Sequence, residues 1–134
     1  MAALVEIEGI GEKFADKLAQ AKIGTTQTLL KRGASRRGRQ EIAKIAGVDR
    51  TKILGWVNRA DLFRIHGVGE EYSDLLEAAG VDTVVELAQR IPEHLHATIV
   101  EVNSTRKLVR RAPALSSVAD WIRQAKRLPR IVEY

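Results

Sequence analysis

Cysteine is absent from the 134-residue chain. That removes disulfides, thiolate metal sites and thiol chemistry together, and it is compatible with a reducing cytoplasm, the expected compartment. Long apolar runs are also missing. None approaches the roughly 18 residues a membrane helix needs, so no membrane segment is expected. The start, Met1-Ala2-Ala3-Leu4-Val5, has neither a basic lead nor a long apolar core and does not read as a signal peptide. Catalytic signatures are wanting too. There is no phosphate-binding Gly-x-x-x-x-Gly-Lys-Ser/Thr, no Gly-x-Ser-x-Gly and no kinase set. Of the three histidines, His94 and His96 would point about 200° apart on a helix, which is poor for a shared metal. The expectation is a non-enzyme with no catalytic residue, no metal, no cofactor and no small-molecule substrate.

What is present is a duplication. Ile7-Glu8-Gly9-Ile10-Gly11-Glu12 returns fifty-eight residues later as Ile65-His66-Gly67-Val68-Gly69-Glu70. At that offset Asp16, Leu18, Ala21, Thr25, Leu29 and Arg32 also meet identical residues at Asp74, Leu76, Ala79, Thr83, Leu87 and Arg90. Farther on the offset becomes sixty-five, where Ile53, Trp56, Val57 and Ala60 meet Val118, Trp121, Ile122 and Ala125. The halves are therefore 1–63 and 64–134, one compact unit of two repeats. The second carries an insertion around Leu108–Leu115.

Both halves read as helical. Tyr72, Leu75, Leu76 and Ala79 fall on one helix face, and Ile53, Trp56, Val57, Ala60 and Phe63 on another. Ser35, Asp49, Thr83, Asn103 and Ser116 or Ser117 suit helix starts. Gly24, Gly47 and Gly80 suit helix ends, and Pro92 suits a first turn. With no alternating strand in view, the predicted class is all-α: about ten short helices forming tandem helix-hairpin-helix (SAM-like) halves packed with pseudo-two-fold symmetry. Hairpin two has a leading helix in Lys52–Arg64. Hairpin one has only Met1–Glu6, so the Trp121 helix is expected to fold back and cover it. The paired tryptophans read as core plugs rather than base-stacking platforms.

A Gly-apolar-Gly turn before a helix can offer backbone N–H groups and a positive dipole end to a phosphate. Gly9, Ile10 and Gly11, followed by Lys13, fit that use. Gly67, Val68, Gly69 and Glu70 fit it badly, because Glu70-Glu71 occupies the positive end; there the turn is structural or faces a partner. The chain's formal charge is +5, and residues 1–63 hold twelve basic and seven acidic side chains against ten of each in 64–134. Lys31, Arg32, Arg36, Arg37 and Arg39 make a run without an acid, which reads as a mobile basic loop that would track phosphates. Clusters at Arg106–Arg111, read as helical, and at Arg123–Arg130 are weaker candidates for extending that surface.

The segments around Gly9–Gly11, Trp56–Leu62, Arg64–Tyr72, Glu86–Arg90 and Leu108–Arg111 closely resemble the bacterial family labelled domain of unknown function 4332, across essentially the whole chain. The resemblance implies a helix-hairpin-helix-like fold and carries no established activity. The acidic Glu70-Glu71 belongs to the family motif. The expected function is sequence-nonspecific binding of double-stranded DNA. The alternative is a protein-interaction or scaffold module that does not bind nucleic acid. A nucleotide-responsive regulatory domain is a third reading.

Overall fold

The computed structural model describes residues 3–134; Met1 and Ala2, with their share of the expected lead-in and signal-peptide readings, lie outside the described residues. Among the described residues there are eight α-helices and no strand beyond an isolated bridge between Ala3 and Thr25. They are α1 (Glu12–Gln20), α2 (Thr26–Arg32), α3 (Arg36–Ala46), α4 (Arg50–Leu62), α5 (Glu70–Ala78), α6 (Val84–Ala88), α7 (Pro92–Arg106) and α8 (Leu115–Arg127). A short 3-10 turn, Leu4–Glu6, precedes α1. None of these helices is long and apolar enough to cross a membrane.

The chain forms two units of four helices. The first runs to Phe63 and takes in Arg130–Tyr134; the second is Arg64–Pro129. In the first, α1 packs on α3, and α2 and α3 pack on α4. In the second, α5 packs on α7, and α6 and α7 pack on α8. The order of helices and the choice of neighbours are the same in both. Ile7, Leu18, Leu29, Ile42, Ile53 and Val57 fill the first core, and Ile65, Leu76, Leu87, Leu95, Ile99 and Val118 are buried in the second.

Local chemistry explains the helix starts. Thr25, Ser35, Asp49 and Thr83 each accept a backbone N–H from the first turn that follows. Pro92 stands in the first turn of α7, where its missing N–H costs nothing. Two expected caps do other work. Asn103 lies inside α7, and its amide clasps both the N–H and the carbonyl of Val109, pinning the insertion that follows. Helix α8 starts before Ser116, with Ala114 at its cap position. The 106–111 stretch is not helical either, because α7 ends at Arg106 and Lys107 turns left-handed at φ +50°.

The coverage of hairpin one differs from expectation. Trp56 of α4 lies on Phe14, ring centroids 5.1 Å apart, with its indole nitrogen facing Gly9. Trp121 of α8 lies on Tyr72 at 5.2 Å, with its indole nitrogen facing Gly67. Each half thus closes its own hairpin with its own fourth helix. Helix α4 belongs to the core of unit one rather than serving as a leading helix for hairpin two. The cause is the depth of apolar burial: Ile53, Trp56, Val57 and Ala60 form a stripe facing Ile7, Ile10 and Leu18, and chain adjacency to hairpin two offers no comparable surface.

Helix α1 ends with Lys22 at φ +64°, where its repeat mate Gly80 sits at φ +93°. A lysine in left-handed geometry carries roughly 1–2 kcal/mol of strain, partly offset by the larger unfolded-state entropy of glycine. Lys22→Gly is therefore expected to stabilise the chain by about 0.5–1 kcal/mol net. Urea unfolding checks it through a midpoint shift upward at constant slope.

Candidate nucleic-acid interface

Both hairpins are built from the same parts. Gly9 and Gly67 adopt φ +92° and +95°, a conformation that disfavours any side chain. Ile10 N–H donates to the Ile7 carbonyl at 3.0 Å, and Val68 N–H to the Ile65 carbonyl at 3.1 Å. Ile10 and Val68 are buried while the flanking glycines are exposed, so the apolar residue anchors a turn whose backbone faces solvent. Gly11 and Gly69 then cap α1 and α5 without any side-chain hydrogen bond. The first N–H groups of both helices consequently lack an intrahelical acceptor and a capping side chain, the arrangement an anion can use.

The fourth helix staples each hairpin a second time, one turn beyond its tryptophan. In unit one, Arg59 of α4 pairs with Glu8 at 3.9 Å. In unit two the corresponding Gln124 accepts from His66 N–H at 2.7 Å and donates to the His66 carbonyl at 3.0 Å. The residue before the glycine has changed from Glu8 to His66, and its partner has changed with it. Gln124 and Arg123 also donate to Asp120, whose carboxyl is held below the ordinary carboxylate range, first by the Gln124 bond.

The charges around the two hairpins diverge. The ammonium groups of Lys17 on α1 and Lys52 on α4 each lie 5.6 Å from the centre of the Phe14 ring, within cation-π reach. Exposed Lys13 follows the turn on the same helix. At the repeat-equivalent places the second unit has Leu75, Ser117 and Glu71, so its hairpin has lost all three lysines. Exposed Glu70 and Glu71 stand in the first turn of α5 instead.

Residues 8–128, from the lead into hairpin one to the end of α8, match the family model described as Domain of unknown function (DUF4332). The chain belongs to this family. No solved structure matches it.

Within this DUF4332 domain the basic run 31–39 is not a loop. Lys31 and Arg32 end α2, Arg36–Arg39 begin α3, and only Gly33–Ser35 lie between. Lys31, Arg36 and Arg37 are exposed, and Arg37 pairs with Glu41 at 3.7 Å across one helical turn. Arg32 and Arg39 are taken up by the fold. Arg32 donates to the Ala21 carbonyl at 2.8 Å, neutralising the negative end of α1. That puts its guanidinium about 15 Å from the hairpin end of the same helix, given 1.5 Å of rise per residue. Its repeat mate Arg90 lies against Gly80, at the end of α5.

Arg39 is 5% exposed and donates to the carbonyls of Gly33, Ala34 and Glu133 at 2.9, 3.0 and 2.6 Å. Burial lowers its pKa, opposed mainly by the charge of Tyr134, and a guanidinium stays charged nonetheless. Glu133 N–H donates to the Ala34 carbonyl at 2.7 Å, and Val132 is buried in the first core, so Arg39 is the clamp that fastens Arg130–Tyr134 to unit one. Arg39→Met should cost about 2–3 kcal/mol, because three carbonyls lose a charged donor. Removal of residues 130–134 should produce a similar loss that does not add to it. Denaturant unfolding of the two variants and their combination checks both statements.

Lys52 is the residue the sequence left unremarked. Its signal was its place four residues before Trp56, on the helix turn that reaches Phe14. Among the described residues no group of three or more metal-capable side chains comes together.

Proposed function

We propose that the protein is a non-enzymatic, sequence-nonspecific DNA-binding module built from tandem helix-hairpin-helix halves, with hairpin one as its grip. The observation that carries this reading is the exposed Gly9–Gly11 turn at an uncapped helix start, with Lys17 and Lys52 set around Phe14 beside it. The backbone N–H groups would meet one phosphate, and Lys13, Lys17 and Lys52 its neighbours along the strand. Exposed Lys31, Arg36 and Arg37 add long-range attraction. No side chain in this set reads a base edge, which is why the binding is nonspecific.

The exposed acidic hairpin two, Gly67–Glu71, favours a second role as a contact for a basic protein partner. The deciding experiment is an anisotropy titration of random duplex, single strand and RNA at two salt concentrations. Duplex affinity should fall steeply as salt rises, log K tracking log salt. Absent binding, or affinity unchanged by salt, overturns the DNA reading; a discrete complex with a basic protein would then support the alternative.

A further inference from the structure

We propose that the groove between α3 and α4 of the first unit binds a small organic phosphate of about mononucleotide size. The groove is separate from the Gly9–Gly11 turn and has a volume of about 330 Å³. That lies at the lower end of the range for small-molecule sites and is too small for a duplex. Three guanidinium groups line it: Arg36 and Arg39, one turn apart on α3, and Arg50 at the start of α4. Gln40 and Thr51 add hydrogen-bonding side chains, and Leu54 and the Tyr134 ring add an apolar wall.

No carboxylate side chain lines the groove. The nearby acids are engaged elsewhere. Asp49 accepts Thr51 N–H at 2.8 Å, and that bond holds its carboxyl below the ordinary range. Glu41 faces Arg37 on the exposed side of α3. Three like charges gathered without a side-chain counterion repel one another, and an anion relieves the repulsion. Guanidinium forks match a phosphate's oxygens two at a time, so a phosphate suits this set better than a halide or a single carboxylate.

The groove is also organised in advance. Arg39 is locked by three carbonyls, and Tyr134 donates its hydroxyl to Asn58 at 3.1 Å, which fixes the ring as a wall. Arg36 and Arg50 are exposed and can close on a phosphate, while Leu54 and Tyr134 receive the organic part. A bare inorganic anion would leave that wall unused.

Isothermal titration calorimetry of the full chain with ADP, and with adenosine as the phosphate-free probe, tests the proposal. ADP should bind at one site, and adenosine at least about tenfold more weakly. Arg36→Glu/Arg50→Glu should weaken ADP about 100-fold, and the milder Arg36→Gln/Arg50→Gln about tenfold, which covers a folding failure of the charge reversal. Lys17→Glu/Lys52→Glu should leave ADP binding as it is, which separates this groove from the hairpin. The proposal is overturned by no saturable ADP binding, by parental ADP affinity in both Arg36/Arg50 variants, or by loss of ADP binding in the Lys17/Lys52 variant. It is equally overturned if ADP never binds while Arg36→Glu/Arg50→Glu abolishes duplex binding, since the groove would then serve a nucleic-acid phosphate.

Discussion

Gly38→Ala is expected to destabilise the protein by about 4 kcal/mol, the largest effect of any single methyl group added to this chain. Gly38 lies inside the first turn of α3, where glycine ordinarily weakens a helix by about 1 kcal/mol relative to alanine. Here a Cβ would overlap the Arg32 carbonyl oxygen at the end of α2 and crowd the Ser35 hydroxyl 3.2 Å away. Neither can give way cheaply. The Arg32 carbonyl is backbone, and the Ser35 hydroxyl caps α3 by accepting Gly38 N–H at 3.0 Å. The substitution therefore combines overpacking with loss of a cap, worth about 1–3 and about 1 kcal/mol. Gly55→Ala is the matched control. It sits inside α4 with nothing within 4 Å of an added Cβ, and should stabilise by about 0.5–1 kcal/mol. The pair is measured by guanidinium unfolding. A Gly38→Ala variant as stable as the parent would mean that α2 and α3 meet less closely than described.

The same glycine shows where reading the sequence stopped short. Lys31–Arg39 has the composition of a mobile loop, and glycine and serine were counted as flexibility. In the fold Gly33 and Gly38 serve close approach, since a Cβ on Gly33 would overlap Val57 of α4. One clue was available. Ser35 as a cap starts a helix at Arg36, and on that helix Arg39, Ile42 and Ala46 share a face. An arginine on an apolar stripe points to a clamp rather than a free cation, as its three carbonyl partners bear out.

The duplication was the legible part. Identities at Gly9/Gly67, Gly11/Gly69, Thr25/Thr83 and Arg32/Arg90 correspond to two left-handed turns, two helix starts, two caps and two arginines at helix ends. The pairing of α4 with hairpin one was harder. Chain proximity suggested hairpin two, whereas the decisive term is a buried tryptophan lying on a glycine dozens of residues away. The aligned Trp56 and Trp121 already implied it, because equivalent helices in a repeat should cover equivalent hairpins.

Lys17→Glu/Lys52→Glu is expected to lower affinity for a random duplex about 100-fold at low salt, and to flatten the plot of log K against log salt by about 2. The two lysines come from different helices and meet only at Phe14, so each reversal puts a carboxylate beside the same ring. Both side chains reach solvent and no core contact is lost, so the fold should survive, as circular dichroism can verify. Slope and affinity separate the mechanisms. Loss of phosphate contacts changes both, whereas a general loss of net charge chiefly lowers affinity at low salt. Glu71→Lys supplies the reciprocal test, because it gives hairpin two the lysine that Lys13 gives hairpin one. If exposed, uncapped helix starts are the common element, that change should raise duplex affinity about two- to fivefold and steepen the slope by up to about 1. No response to either variant would place the nucleic-acid contact away from both glycine turns, and would leave those turns as hinges between helices that the tryptophans hold shut.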